Sequence, residues 1–406
     1  MDLRFFKLFL LIFFTFFSLN TIPAESDRPL KVRKNPNVQS DVQFLLTPNE
    51  PYSIKSYVGD WVKITNINGN FGYVHASVIK NKPIEELYEF QLNVIDVGTG
   101  LSIFGTDTHN GTFLYDAGSG DDKAKNRTLY FLKKHYPNLK SIDYLFISHP
   151  HEDHISYIKD LLNEYEFESI ILTGQKYPSC TYSKLLLDLS KSKSSIYMLD
   201  HERNNKLLHR CVEEGYVNFE HTHSIRDILK ANISPKLKFE ILYASSNSKN
   251  TNDNSLVVRI DTPSRSILLT GDIEAGKRAT PNNPILPNSA EWALIKCCDK
   301  KLNVDVLIAA HHGSMTSSRK EFIDKVSPKY TFISSGPKSY GGIILPDREV
   351  ITMLSSVGKL FRTDLNDELC KNGKHLNKDV GDGKPGGCDN YQVIFDYFEI
   401  SDVKPI

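Results

Sequence analysis

The segment Tyr144-Leu-Phe-Ile-Ser-His-Pro-His-Glu-Asp-His154 sets three imidazoles and a carboxylate, His149, His151, Asp153 and His154, directly behind an apolar run. Imidazole nitrogen and carboxylate oxygen are the donors that borderline divalent cations prefer. Pro150 forbids helix at that point, and helical spacing starts at Ile155 and continues through Ile158, Leu161 and Leu162. The four candidate ligands therefore occupy a strand-to-helix turn. There, side chains neither alternate across a sheet nor spread around a helix, so they can converge on one point. The competing reading is a loop of exposed histidines, and it leaves their register behind a buried strand unexplained.

The elements that must hold this turn come in two styles. Between Asp27 and Lys82, short strand-like runs at 30–33, 42–46, 52–57, 61–65 and 71–74 are broken by turn residues, with Asn68-Gly69 a strong hairpin signal. About fifty residues of this kind make a small barrel. The order Leu30-Lys-Val-Arg33, Gly59-Asp-Trp-Val-Lys-Ile64 and Gly72-Tyr-Val-His75 with Val78 resembles the bacterial SH3-like domain. That resemblance implies a cell-wall or peptide ligand, while Trp61 and Tyr73 read more simply as barrel core. After a linker at 82–86, apolar runs at 92–97, 113–115, 144–147, 256–260, 267–269, 306–308 and 330–333 alternate with helical spacing, which predicts a layered α/β domain over 88–400. The polar stretch 245–254 is predicted to be a loop.

Composition sets limits. The 406 residues exceed one ordinary core, and 49 basic against 49 acidic residues point neither to a polyanion binder nor to an acid-rich solvating protein. The basic residues Lys123, Lys125, Arg127, Lys133 and Lys134 read as a solvated helix face. Arg4 and Lys7 flank an apolar run reaching Leu19 and ending at Thr21-Ile-Pro-Ala24, the pattern of a signal peptide over 1–24. Export to the periplasm, cell envelope or exterior is therefore expected, with no transmembrane span once the signal is removed. In such a compartment the six cysteines can form disulfides, and Cys370 and Cys388 bracket a Gly-rich segment as a plausible staple.

HxHxDH is the signature of the metallo-β-lactamase superfamily. The resemblance implies an acidic residue ending a later strand, matched by Asp272 in Leu268-Leu-Thr-Gly-Asp272, and a further histidine, matched by His311 in Ala310-His-His-Gly-Ser314. A carboxylate can bridge two cations where imidazole offers a single lone pair. Asn252-Asp-Asn-Ser-Leu-Val-Val258, LLTGD, AHHGS with Thr316-Ser-Ser318, and Val326-Ser-Pro328 more narrowly resemble the hydrolase domain of ComEC-type DNA-uptake proteins, as do Asp96-Val-Gly98 and Asp116-Ala-Gly118. The likeness covers about 90–364 and implies a four-layered αββα sandwich. The chain departs from that family in reading Asp96-Val-Gly-Thr-Gly-Leu101 for DVGQGD and Ile344-Leu-Pro346 for Gly-His-Pro. No middle histidine precedes Asp272, so Asp253 stands as a candidate ligand, while His221 and His223 read as surface residues.

The mechanism so implied uses two divalent cations, zinc foremost with manganese or iron as alternatives. His149 and His151 hold one, Asp153, His154 and His311 the other, and Asp272 lies between. The cations would acidify a bridging water and leave hydroxide as nucleophile, with Asp153 in the catalytic centre and His312 stabilising charge or donating a proton. A phosphodiester such as nucleic acid is the leading substrate class. A lactam, lactone or thioester hydrolase and a catalytically degenerate envelope-binding protein remain alternatives.

Overall fold

Alternating burial builds the N-terminal unit. In the computed structural model, which describes residues 29–47, 50, 52–66, 68–78, 90–121, 125–199, 205–206, 211–213, 215–217, 219, 221–263, 265–374, 384–395 and 400–406, the strand Trp61–Asn66 buries every second residue. Val62 and Ile64 thereby join Val32, Leu46 and Val74 in a small core. The antiparallel strands run in the order Val42–Leu46, Leu30–Arg33, Phe71–His75, Trp61–Asn66 and Tyr52–Val58. At the Asn68-Gly69 turn, Gly69 has φ 79° and donates its N–H to the Asn66 carbonyl. Trp61 and Tyr73 correct the expectation of barrel core: the same alternation leaves both half-buried on the other face, with the Trp61 ring edge-on to His75. The signal segment and the linker lie outside the described residues.

The chain divides into two compact units, Met1–Lys82 and Pro83–Ile406. In the second, two sheets stack. One runs Thr222–Ser224, Ser195–Met198, Glu166–Leu172, Ser141–Ile147, Thr112–Ala117, Ser102–Asp107, Phe90–Val94, Tyr391–Phe395, Ile400–Pro405 among the described residues. The other runs Lys230–Asn232, Lys238–Tyr243, Val257–Asp261, Ser266–Leu269, Val306–Ile308, Tyr330–Ile333, Lys359–Arg362. Phe113, Phe146 and Leu92 of the first sheet meet Val258, Leu269 and Phe332 of the second in a shared core. Outside the first sheet, Leu132, Leu161 and Leu185 come from the helices Arg127–His135, Ile158–Glu164 and Cys180–Ser190. Outside the second, Leu294, Phe322 and Leu354 come from Ala290–Leu302, Lys320–Val326 and Arg348–Val357. The layers are thus helix, sheet, sheet, helix. Central strands such as Thr112–Ala117 and Ser266–Leu269 are buried on both faces, which explains their continuous apolar runs.

Strand direction places the site. Ser141–Ile147 pairs in parallel with Thr112–Ala117, and Ser266–Leu269 in parallel with Val306–Ile308. Their C-terminal ends therefore open along sheet edges where the turns after Ile147, Leu269 and Ile308 can meet. The stretch 245–254 is irregular, ending in the 3-10 turn Asn252–Asn254. Cysteines pair as Cys180–Cys211, Cys297–Cys298 and Cys370–Cys388, the last being the staple suggested by the sequence.

That staple borders a buried carboxylate cluster. Asp96 accepts from the backbone N–H of Gly98, Cys388 and Asp389, and burial pushes it up to about 6. Asp367 is 7% exposed with no hydrogen-bond partner on Oδ1. Burial first, and then the charges of Asp96, Asp364, Asp389 and Asp121, push it up to about 8. A carboxyl raised in the folded state holds a proton that the unfolded chain has released between about pH 4 and 8, so its contribution to stability declines through that window as pH rises. Asp367→Asn is expected to flatten the decline and to be more stable than the parent by about 1–2 kcal/mol at pH 9. Urea denaturation at pH 6 and pH 9 checks it, and an unchanged pH profile would contradict the assignment.

Candidate metal centre

The turn Ser148–Ser156 is held by close backbone approach. A Cβ on Gly118 would stand 2.6 Å from the N atoms of His154 and Ile155, and one on Gly100 would stand 2.6 Å from the Asp153 carbonyl oxygen. Only glycine lets the two preceding loops close on the turn. Gly271, at φ 54°, likewise lets the strand end before Asp272 lie against Ser148.

Two groups of ligand-type atoms result, His149, His151 and Asp272 in one and Asp153, His154 and His312 in the other, with the atoms of each group within 4.8 Å of one another. Asp272 links them. Its Oδ2 lies 3.6 Å from His149 Nε2 and 3.7 Å from His312 Nε2, and its Oδ1 lies 3.2 Å from His154 Nε2. Each group consists of imidazole and carboxylate donors alone, a set suited to zinc, manganese or iron. The residues therefore fit a pair of divalent cations.

Partners fix the rings. His154 Nδ1 lies 2.8 Å from Asp116 Oδ2, leaving Nε2 to face Asp272. Asp116, at φ 55° and fully buried, also accepts from the N–H and Oγ–H of Ser148. His312 Nδ1 donates to the Ser334 carbonyl at 2.8 Å, which turns Nε2 into the centre. His149 Nδ1 is 3.0 Å from Ser148 Oγ.

The placement of the paired histidines differs from the sequence expectation. His312, expected as the charge-stabilising group, is the residue grouped with Asp153 and His154, while His311 Nε2 stands 4.0 Å from Asp272 Oδ2 and belongs to neither group. Residues 311 and 312 both adopt left-handed backbone, φ 50° and 52°, so successive side chains diverge. His311 Nδ1 turns instead to Thr316 Oγ1 at 2.7 Å and Glu274 Oε1 at 3.2 Å. Asp253 does not join the centre either. Its Oδ1 accepts from the backbone N–H of Glu274 and Ala290, and it lies in neither group. His221 and His223 are exposed, as expected.

Asp116, Glu274 and Asn252 escaped the sequence reading as site residues. Asn252 donates to Glu274 Oε1 at 2.9 Å and approaches His311 Nε2 at 3.4 Å. Asp116 had one available signal: an acid at the end of an apolar run, in the DAG that the family resemblance also picks out. Tyr340 was missed as well. Its hydroxyl donates to Asp153 Oδ2 at 2.7 Å.

Charge follows this geometry. Burial would raise Asp272, but His154, His312, His149 and His311 outweigh it and hold the carboxyl well below the usual range. Burial opposes a proton on His154, yet Asp272 and Asp116 prevail and hold it well above the ordinary imidazole value. For His149, burial and then the His154 charge push it well below. His154 thus carries a proton beside the ionised Asp272, while His149 stays neutral.

Comparison with known proteins agrees with the architecture. Residues 96–183 match the metallo-beta-lactamase superfamily and residues 29–80 match the bacterial SH3 domain. The chain carries a metallo-β-lactamase-fold domain preceded by a bacterial SH3 domain. Its relatives are of ComEC type. It is 24% identical over 299 residues to ComE operon protein 3 of Bacillus subtilis, covering 68% of this chain and 32% of that one. It is 34% identical over 135 residues to competence protein ComA of Neisseria gonorrhoeae, covering 32% and 17%. The chain thus spans a third or less of the length of these relatives. Among solved structures, the metallo-beta-lactamase fold protein YhfI of Bacillus subtilis aligns with TM-score 0.38 and 12% identity over 68% of this chain and 96% of that one.

If Asp116 orients His154 toward a cation, Asp116→Asn should weaken metal affinity about 10- to 100-fold. Because His154 is protonated without a cation, metal uptake should release a proton, and affinity should fall as pH is lowered below the raised His154 value. Competition against a chromogenic chelator at pH 6 and 8 reads both effects. Equal affinities for parent and variant at both pH values would refute this role.

Proposed function

We propose that this chain is an exported, metal-dependent phosphodiesterase, with His149, His151 and Asp272 holding one divalent cation and Asp153, His154 and His312 the other. The observation that carries it is the pair of three-donor groups joined through Asp272. Zinc best suits the donor set, and manganese or iron comes next. When bound, the cations would supply Lewis acidity and an acidified water. The chain's own residues supply the rest. Asp116 and the Ser334 carbonyl hold the His154 and His312 rings in register. His311, which burial would strip of its proton, is raised by Asp272, Glu274 and Asp153, so it presents positive charge beside the centre where a phosphate or a leaving oxygen gathers negative charge.

The phosphodiester class draws on the competence-type relatives and makes nucleic acid the leading partner. Export draws on the pairing of all six cysteines, a chemistry of oxidising compartments. Among the described residues no helix is long and apolar enough to cross a membrane. We assign 1–24 to a signal peptide, 27–82 to the SH3-like domain with a cell-wall or peptide ligand, and 88–400 to the hydrolase domain.

Metal-loaded protein is expected to cleave bis-(p-nitrophenyl) phosphate or single-stranded DNA and to lose that activity to a chelator. Cleavage of a chromogenic lactam alone would overturn the substrate class. Elemental analysis below one cation per chain after zinc or manganese loading, with no activity, would overturn the enzyme reading in favour of a binding protein.

The two histidines separate in the same assays. His312→Ala should bind fewer than two cations and lose at least about 10²-fold in kcat/KM. His311→Ala should keep both cations and lose about 10- to 100-fold. Retention of both cations by His312→Ala would reverse the assignment.

A further inference from the structure

The loop after Ile333 carries a small hairpin, Ser339–Tyr340 paired with Ile343–Ile344, whose base is anchored against the metal-competent centre. Ser334 gives its carbonyl to His312 Nδ1 and its hydroxyl proton to the Gly100 carbonyl. Ser335 Oγ donates to the Leu345 carbonyl across the base of the arm, and the Lys338 N–H donates to Thr99 Oγ1. Beyond these anchors the arm reaches into open space. Gly341 and Gly342 turn it at φ 60° and 90°, and a Cβ on either would meet nothing within 4 Å.

Tyr340 on this arm faces the centre, and Lys338 lies beside it. The Tyr340 hydroxyl donates to Asp153 Oδ2 at 2.7 Å while the residue stays 38% exposed. Lys338 Nζ lies 5.2 Å from the Tyr340 ring centroid, and no carboxylate among the described residues pairs with it. An ammonium therefore sits beside the phenol ring whose hydroxyl reaches Asp153, in a centre otherwise built of imidazole and carboxylate. The tyrosine is tied to Asp153 by a single hydrogen bond that an incoming oxygen could share or take over.

We propose that the Lys338–Ile344 hairpin is the substrate-positioning wall of the centre, with the Lys338 ammonium and Tyr340 hydroxyl gripping the anionic oxygens of a phosphate ester and favouring it over neutral acyl substrates. This deepens the phosphodiesterase reading and rests on it. A lactam or thioester carbonyl carries no formal charge for Lys338 to attract, whereas a phosphodiester presents two non-bridging oxygens that share one negative charge, for which ammonium and hydroxyl donors are suited.

The test uses the full mature chain loaded with zinc or manganese, with Lys338→Gln and Tyr340→Phe as variants. Metal content is measured first, then the affinity for inorganic phosphate by calorimetry, then KM and kcat on bis-(p-nitrophenyl) phosphate. The expected result is unchanged metal content, phosphate affinity weakened about tenfold by Lys338→Gln and about threefold or more by Tyr340→Phe, and a rise in KM larger than any fall in kcat for Lys338→Gln. If the parent binds phosphate and both variants bind it equally, the wall is overturned while the phosphodiesterase reading stands. If Tyr340→Phe loses metal, Tyr340 serves only to hold Asp153, and its substrate role is overturned. If the loaded parent neither binds phosphate nor cleaves the diester but opens a lactam, both readings fall together.

Discussion

Removing a carboxylate from water costs several kcal/mol unless cations or N–H donors replace its hydration, and Asp272, 3% exposed at the junction of two sheets, meets that demand with imidazoles from two separate turns. Asp116, fully buried, meets it with Ser148 and His154. Neither arrangement is neutral toward a divalent cation. With Asp272 ionised and His149 neutral, two donors of the centre already lack the protons that a metal would displace, whereas His154 still holds its own. The interactions that keep the protein folded without a cation are thus the ones that prepare it for one.

That arrangement requires the backbone to bend where side chains must converge. Asp116, Gly271, His311 and His312 all lie at positive φ, three of them non-glycine residues, and all sit where a strand gives out at the centre. Such conformations cost of order 1 kcal/mol or more for a residue bearing a Cβ and persist when surrounding contacts fix them. Here the fixing contacts are visible: the two sheets share a core of Phe, Leu, Val and Ile side chains, and the loops that carry the ligands are pinned by glycines with no room for a side chain. The apolar sandwich supplies the rigidity, and the bends at its edge use it.

How much of this the sequence disclosed follows from how local each determinant is. HPHEDH was legible because a proline, an apolar run and the ligands are contiguous, and strands such as 267–269 and 306–308 were legible because burial on both faces leaves an uninterrupted apolar run. The roles of His311 and His312 were not, since two adjacent residues share every local signal and are distinguished only by which distant partner, Glu274 or the Ser334 carbonyl, takes Nδ1. Asp253 drew attention as the acid in the right loop, yet its carboxylate is spent on backbone N–H groups of Glu274 and Ala290. Trp61 misled for a different reason: aromatic size suggested core, but strand parity assigned its face.

The loop that departs most from the family pattern shows why a missing motif residue is a weak argument for a missing function. Where the resemblance to ComEC-type domains implies a histidine before proline, this chain has Leu345, which is buried. The loss of that imidazole leaves the backbone of the loop in contact with the centre, because Ser334 and Ser335 anchor it through hydrogen bonds that do not depend on residue 345's side chain. Tyr340 then reaches Asp153 from the exposed arm of the same loop. A site assembled from backbone anchors can change which side chain it presents without losing the position from which that side chain acts. For that reason the residue at 345 carries less weight for the site than the contacts that reach Asp153 and His312.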